Sequence, residues 1–167
     1  MLDNVKDYPG IAPWIGNRDS FRAIIRGADS ANIVGGQKRR LGRLLFACRV
    51  GQYRDRIAAI VRQLQVGNKT AVTFHFVLGF AGGTGAGTIV DAICQTRVMF
   101  PTNEYRIIIY GLLPDKNPKP NRAGPNYHAN GYAMLQELNA LDVGAYLPYD
   151  ISGTQTARLD LRDPPKR

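Results

Sequence analysis

One stretch constrains the fold more than any other: a glycine-rich segment between an apolar run and a helix-like pattern. Residues 74–91 read FHFVLGFAGGTGAGTIVD, and four glycines fall in the six positions from Gly82 to Gly87. Glycine lacks Cβ and tolerates φ > 0, so successive N–H groups can turn toward one anion. The following helix N-terminus adds unpaired N–H groups and a positive dipole end. We therefore predict that a phosphate is bound by Ala81, Gly82, Gly83, Thr84, Gly85, Ala86, Gly87 and Thr88.

Two common phosphate-binding patterns do not fit this segment. The dinucleotide fingerprint requires glycine or alanine three residues after its second glycine, where this chain has Thr88. A Rossmann-type oxidoreductase is therefore disfavoured. A Walker loop requires a lysine after its last glycine, and no lysine lies between Lys69 and Lys116. A glycine-rich turn that serves only close strand–helix packing remains an alternative.

The sequence of Ala81–Gly87, AGGTGAG, resembles the glycine loop of the tubulin/FtsZ superfamily, which reads GGGTGSG or GGGTGTG. Only Ala81 departs from that pattern, and a small residue, Ala86, occupies its variable place. The surroundings are most similar to bacterial tubulin-like domains found inside larger proteins. The resemblance implies a three-layer α/β fold, with a mostly parallel sheet and helices on both faces. It also implies binding of GTP or GDP, with Mg²⁺ as a candidate companion of the phosphates and the hydroxyls of Thr84 and Thr88 near it.

A second glycine turn precedes a basic helix. Gly35, Gly36 and Gln37, followed by Arg39 and Arg40, resemble the family loop that lies beside the terminal phosphate. The resemblance implies that these five residues contact that phosphate. An ordinary turn between two helices explains the same residues equally well.

A long polar loop, Pro114 to Ala129, leads into a helix predicted over Asn130–Leu141. The resemblance implies that this region contacts the ribose or base, with Asn130 and Arg122 as candidates and His128 as a weaker one. A helix N-cap is an equal alternative for Asn130.

The segment Lys38–Arg62 carries eight basic residues and only one acid, Asp55. Its apolar residues recur at helical spacing, which predicts one or two amphipathic helices with a positive outer face. Such a face is usually only solvated. The formal net charge of the chain is +9, which suits an anionic partner. A second candidate function is therefore a basic interaction module that binds nucleic acid or an acidic protein, with a vestigial nucleotide site.

The remaining pattern predicts a βαβ unit. A strand over Thr70–Leu78, apolar on both faces and with a buried His75, precedes a helix over Ala86–Met99 and a strand over Arg106–Leu113. The crossover of such a unit is right-handed, and ligands bind at the carboxyl edge of its sheet. A third strand is predicted over Gly144–Pro148.

The expected organisation is a loop-rich lead-in over residues 1–26, a partial tubulin-like nucleotide-binding domain over 27–150 and a basic polar tail over 151–167. The lead-in includes Trp14, interpreted as a packing anchor. No secretion signal or membrane span is evident, so we expect a cytoplasmic protein without a membrane partner. Cys48 and Cys94 fit as reduced core residues, and no metal-ligand cluster is present.

Function in this family involves self-association into filaments, with GTP hydrolysis completed by an acid from the adjoining subunit. The family segments that precede the first loop, and the later loop that carries the acid, have no counterpart in this sequence. We therefore expect a partial domain that binds nucleotide, and we assign no catalytic residue.

Overall fold

The computed structural model describes most of the chain, namely residues 3–15, 17–19, 21–22, 37–67, 69–120, 123–153 and 158–159. Several sequence predictions lie outside these ranges: Gly35, Gly36, Arg122 and most of the tail after residue 153.

In the described ranges, four helices and two strands make up most of the regular structure. In chain order they are α1 (Arg39–Ala47), α2 (Val50–Leu64), β1 (Val72–Gly79), α3 (Thr84–Met99), β2 (Tyr105–Leu112) and α4 (Tyr127–Asp142). Two short helical turns, Val5–Asp7 and Ala12–Ile15, precede them. The basic run thus folds as two helices, as its apolar spacing predicts.

The two strands are parallel and fully in register, from Val72 opposite Tyr105 to Gly79 opposite Leu112. Helix α3 connects them, so the predicted βαβ unit and the α/β class are confirmed. Runs of apolar and β-branched residues form these strands because such side chains pack well on a pleated, covered surface.

Helix α3 is the centre of the molecule. Its residues from Ile89 to Thr96 are all buried, as is Ala86. One side packs on the inner face of the sheet, through Phe76 and Ile107 among others, and on Met134 of α4. The opposite side contacts α1 and α2. A second cluster joins the lead-in to α1 through Ile11, Ile15, Phe21, Leu44, Ala47 and Ile151.

The outer face of the sheet differs from the prediction. Within the described part of the chain, the helices pack only on the inner face. The outer face, with Thr73, His75 and Val77 of β1 and Tyr110 and Leu112 of β2, is exposed. His75 is therefore not buried. Its ring stacks on Tyr110, with Nδ1 3.2 Å from the hydroxyl oxygen.

The predicted third strand over Gly144–Pro148 is wrong. Gly144 adopts a left-handed backbone conformation with φ of 70°, which turns the chain back at the end of α4. Its N–H donates to the carbonyl of Leu141, and the N–H of Tyr146 donates to that of Ala140. These groups end the helix, and the described residues beyond it make only a single antiparallel bridge, Tyr149 with Arg158.

A hydrogen-bond network attaches the segment around Asp150 to α2 and α3. Asp150 Oδ1 accepts bonds from Gln95 Nε2 at 2.8 Å and from the N–H of Ser152 at 2.9 Å. Arg54 donates to Gln95 and to the Ser152 hydroxyl. Burial would raise the pKa of Asp150, but these donors and the nearby Arg54 charge together hold it below its usual range.

This depressed pKa predicts a dependence of stability on pH. An unfolded aspartate titrates near pH 4. The Asp150 carboxylate therefore stabilises the fold above that pH, and its contribution is lost as the pH falls through the lower folded pKa. We expect Asp150→Asn to lower the free energy of unfolding at pH 7, with a smaller effect below about pH 4. Urea denaturation at both pH values measures this, and an effect that does not change with pH would contradict it.

Candidate functional site

The glycine segment lies at the carboxyl edge of the sheet. β1 ends at Gly79, the N–H of Phe80 donates to the carbonyl of Leu112, and α3 begins at Thr84. The helix therefore starts two residues earlier than the predicted Ala86. Gly85, Ala86, Gly87 and Thr88 belong to its first turns, and only residues 81–83 form the loop.

The backbone of this segment does not adopt the positive φ angles that its glycines permit. Among the described glycines, only Gly67 and Gly144 have positive φ, so the expectation of φ > 0 in the segment is wrong. Gly83 and Gly87 serve close approach instead. A Cβ at Gly83 would lie 2.6 Å from the Lys38 nitrogen, and one at Gly87 would lie 2.2 Å from the Arg39 carbonyl oxygen.

Helix α1 supplies a matching glycine. A Cβ at Gly42 would lie 2.4 Å from the carbonyl oxygen of Gly83. The first turns of α3 and the start of α1 are thus in backbone contact, at distances that no larger residue permits. A packing role therefore accounts for Gly83 and Gly87, although the partner is a helix and not the strand.

Gly82 and Gly85 have more space. The nearest atom to a Cβ at Gly82 would be the Gly79 carbonyl oxygen at 3.6 Å, and at Gly85 it would be Leu78 Cβ at 3.4 Å. None of the N–H groups from Gly82 to Ala86 has an acceptor among the described residues; the first that has one is Gly87, which donates to Gly83. The Thr84 side chain is exposed. These N–H groups and this hydroxyl can therefore donate to an anion.

Thr88 contributes less than predicted. Its hydroxyl donates to the carbonyl of Gly85 at 3.3 Å, within the first turns of α3. A ligand that used this hydroxyl would have to displace that bond.

The structure brings Gln37 of the second predicted loop to the glycine segment. Gln37 has a left-handed backbone, with φ of 44°, immediately before α1. Gln37, Lys38, Gly83 and Thr84 share the wall of a small depression of about 40 Å³. The two segments predicted to contact phosphate are therefore adjacent.

Arg39 and Arg40 are engaged elsewhere. Arg39 Nε donates to the Ala86 carbonyl at 3.1 Å, and Arg39 also pairs with the Glu137 carboxylate. Arg40 donates to the Ile15 carbonyl. Arg39 would have to break these contacts to reach a terminal phosphate. Arg40 is exposed, and its bond to Ile15 leaves several of the five guanidinium N–H donors available.

A larger cavity of about 220 Å³ lies beside α1. It is lined by Trp14, Arg39, Arg40, Arg43, Gly87, Val90, Glu137 and Tyr146. Of the eight residues predicted to hold phosphate, this cavity includes only Gly87. It is therefore distinct from the small depression lined by Gly83 and Thr84.

Arg43 forms a buried ion pair at this cavity that the sequence analysis did not foresee. Its Nε and Nη2 donate to the two carboxylate oxygens of Asp91 at 2.7 and 2.9 Å. Asp91 is 1% exposed, and burial raises its pKa against the opposing effect of Arg43. The Arg43 guanidinium also lies over the Trp14 ring, 4.4 Å from its centre, which agrees with a packing role for Trp14.

Asn130 has a different position from the predicted one. α4 begins at Tyr127 with Asn126 as its N-cap, so Asn130 lies within the first turn and the N-cap alternative is wrong. Its side-chain Nδ2 donates to the carbonyls of Gln37 at 2.8 Å and Ala81 at 3.0 Å. His128 is exposed and lies 2.9 Å from the Asp115 carbonyl oxygen.

Only some of the basic side chains of the segment Lys38–Arg62 are exposed and without bonds to the rest of the described fold. Arg39, Arg43 and Arg54 are bonded to other parts of the fold. The exposed cations of α2 and its N-cap are Arg49, Arg56 and Arg62. The positive face is therefore narrower than the charge count indicates.

The described residues contain no group of three or more His, Cys, Asp or Glu side chains that could hold a metal ion. Cys94 is buried, and burial raises its pKa; Cys48 is exposed, so its predicted core position is wrong. No helix in the described ranges is both long and apolar enough to cross a membrane.

Comparison with known proteins identifies a family. The model of a family described as "Tubulin like" matches residues 1–164. No curated protein and no solved structure matches the chain. The matched range contains every helix and strand described above, together with both loops that the sequence resemblance singled out.

The contact between α1 and α3 predicts opposite effects at two glycines. Gly42→Ala places a methyl group against the Gly83 carbonyl, and we expect it to lower the free energy of unfolding by about 1–3 kcal/mol. Gly51 of α2 has no atom within 4 Å of its Cβ position. We expect Gly51→Ala to be neutral or to stabilise by up to about 1 kcal/mol, because alanine favours helices. Chemical denaturation of both variants tests this, and a stable Gly42→Ala would refute the contact.

Proposed function

Because the chain belongs to the tubulin-like family, we propose that it is a guanine-nucleotide-binding portion of a tubulin-like GTPase. In this proposal the glycine segment holds the phosphates. The observation that carries it is the set of N–H groups from Gly82 to Ala86, which have no acceptor among the described residues and stand at the N-terminus of a long helix.

This segment suits a phosphate chain for four physical reasons. Helix N-terminal N–H groups and the helix dipole favour negative charge. Gly82 has no side chain, so a phosphate oxygen can come close to its backbone N–H. The exposed Thr84 hydroxyl adds one donor, and the net charge of +9 attracts an anion from a distance.

Mg²⁺ fits this site only as a companion of the nucleotide. Segment 81–88 contains no carboxylate, and the nearest acid along the chain, Asp91, is paired with Arg43. The ion would therefore be held by phosphate oxygens and water, with the Thr84 hydroxyl as the protein group most available to it. When bound, it would neutralise charge on the phosphates. Nucleotide affinity should accordingly depend on Mg²⁺, whereas Mg²⁺ alone should bind weakly.

Filament formation and hydrolysis complete the proposal. We assign no catalytic residue to the described part of the chain. In this proposal the acid that orients water comes from an adjoining subunit. Turnover should therefore require assembly with a subunit that carries this acid, and we expect this chain alone to bind GTP without hydrolysing it.

Gly82→Val tests the phosphate site with little effect on the fold. The new side chain has space, and the backbone at Gly82 has no positive φ. We expect affinity for GTP and GDP to fall at least about tenfold, a cost of about 1.4 kcal/mol, because the side chain blocks the approach to the N–H groups. Titration calorimetry measures the affinity, with ATP as competitor to establish base preference.

Gly79→Val is the matched control. Gly79 lies three residues away at the end of β1, with no atom within 4 Å of its Cβ position, and valine suits a strand. This variant should bind GTP as the wild type does. Unchanged binding by Gly82→Val would reject the phosphate site.

The alternative, a basic interaction module, has one specific observation in its favour: Arg49, Arg56 and Arg62 are exposed. If this surface binds nucleic acid, affinity should fall steeply with salt concentration. Replacing all three arginines by glutamine should then weaken binding and reduce the slope of log K against log salt by up to about 3. Binding to DNA or RNA that is indifferent to this triple change would exclude the surface.

A further inference from the structure

Three segments of the chain meet at a single buried amide. Asn130 is 8% exposed, and its Nδ2 lies 2.8 Å from the carbonyl oxygen of Gln37 and 3.0 Å from that of Ala81. Gln37 lies two residues before α1, Ala81 is the first of the residues predicted to bind phosphate, and Asn130 belongs to the first turn of α4. An amide nitrogen has two hydrogens, so both are committed to these carbonyls.

We infer that Asn130 is a positioning residue, whose side-chain amide ties the turn at Gln37 to the glycine segment and so holds both around the phosphates. This role differs from the ribose or base contact that the sequence resemblance implied for Asn130. The inference about phosphates rests on the proposed function, whereas the tie between the two loops stands on the geometry alone.

The backbone conformation of Gln37 is one that its surroundings must hold in place. A left-handed backbone at a residue other than glycine, asparagine or aspartate is disfavoured and persists only where the surroundings hold it. Two close approaches restrain the same turn: a Cβ at Gly83 would lie 2.6 Å from the Lys38 nitrogen, and a Cβ at Gly124 would lie 2.9 Å from Gln37 Oε1. The Asn130 amide adds two hydrogen bonds to this restraint.

Removal of the Asn130 amide has a free-energy cost, because two backbone carbonyl groups accept hydrogen bonds from it. Removal leaves two backbone carbonyls without these donors, and an unsatisfied buried polar group costs on the order of 1–3 kcal/mol. The turn at Gln37 and the loop at Ala81 would then lose the hydrogen bonds that connect both to α4. The N–H groups from Gly82 onward would no longer be held ready for an anion.

Asn130→Ala separates positioning from direct contact with the nucleoside. Inorganic tripolyphosphate serves as a probe that has no ribose and no base. If Asn130 positions the loops, affinity for GTP and for tripolyphosphate should both fall by about tenfold. If Asn130 contacts the ribose or base, only GTP binding should weaken, and that result would overturn the inference.

Asn139→Ala is the matched control, because Asn139 is an exposed residue of the same helix. It should leave both affinities unchanged. Asn130→Ser is a milder second variant for use if Asn130→Ala does not fold. It retains a hydroxyl donor, so we expect the same pattern with a smaller loss.

Hydrogen–deuterium exchange without nucleotide tests the tie independently of binding. Asn130→Ala should speed exchange of the hydrogen-bonded amides beside the two segments, namely Leu41 and Gly42, which donate to Lys38, and Gly87, which donates to Gly83, and Asn139→Ala should not. Unchanged exchange in both segments would overturn the tie. A wild-type chain that binds neither GTP nor tripolyphosphate would refute the proposed function, while the exchange result would still decide the role of Asn130.

Discussion

The structure depends on the backbone contact between α1 and the first turns of α3. Gly42, Gly83 and Gly87 permit this approach, because a Cβ at any of them would lie within 2.6 Å of a backbone atom of the opposite segment. The helices are then close enough for Arg43 to reach Asp91 with two hydrogen bonds. A buried carboxylate is costly without such a partner, so the close contact and the ion pair depend on one another. Arg43 in turn lies over Trp14 and connects the lead-in to the same point.

This arrangement changes how the glycine-rich segment is interpreted. A phosphate site and a packing site are usually alternatives for such a sequence, but here they fall on different glycines. Gly83 and Gly87 face α1 at distances that exclude any side chain, whereas Gly82 and Gly85 do not. The packing fixes where α3 begins, and the N–H groups that precede its first internal hydrogen bond lie at that point. Close helix packing and anion binding are therefore compatible uses of one segment.

Sequence reasoning succeeded where a periodic pattern reports a local property. Alternation in β1, helical spacing in α1 and α2, and the strand–glycine–helix order were all sufficient to place the βαβ unit. It failed where the outcome depends on what lies across the fold. His75 sits in an apolar run, yet the described helices pack on the other face of the sheet. The residue pattern predicts a strand that includes Gly144, although its left-handed turn ends α4.

In the candidate site, too, local features could be predicted from the sequence and contacts between distant segments could not. The glycine segment and its neighbourhood with Gln37 could be predicted from the residues and the family resemblance. The partners of Arg39 and Asn130 could not, because Glu137, Gln37 and Ala81 are 49 to 98 residues distant along the chain. A basic residue beside a glycine turn gives no sign of which acid it will meet after folding.

The unequal surroundings of the two thiols have a practical consequence. Cys48 is exposed at the end of α1, whereas Cys94 is buried in α3, where burial raises its pKa and keeps the reactive thiolate scarce. A maleimide dye or spin label should therefore modify the native chain at one position without any engineered cysteine. A label at Cys48 would report on the junction between α1 and α2. The other end of α1 lies next to the glycine segment.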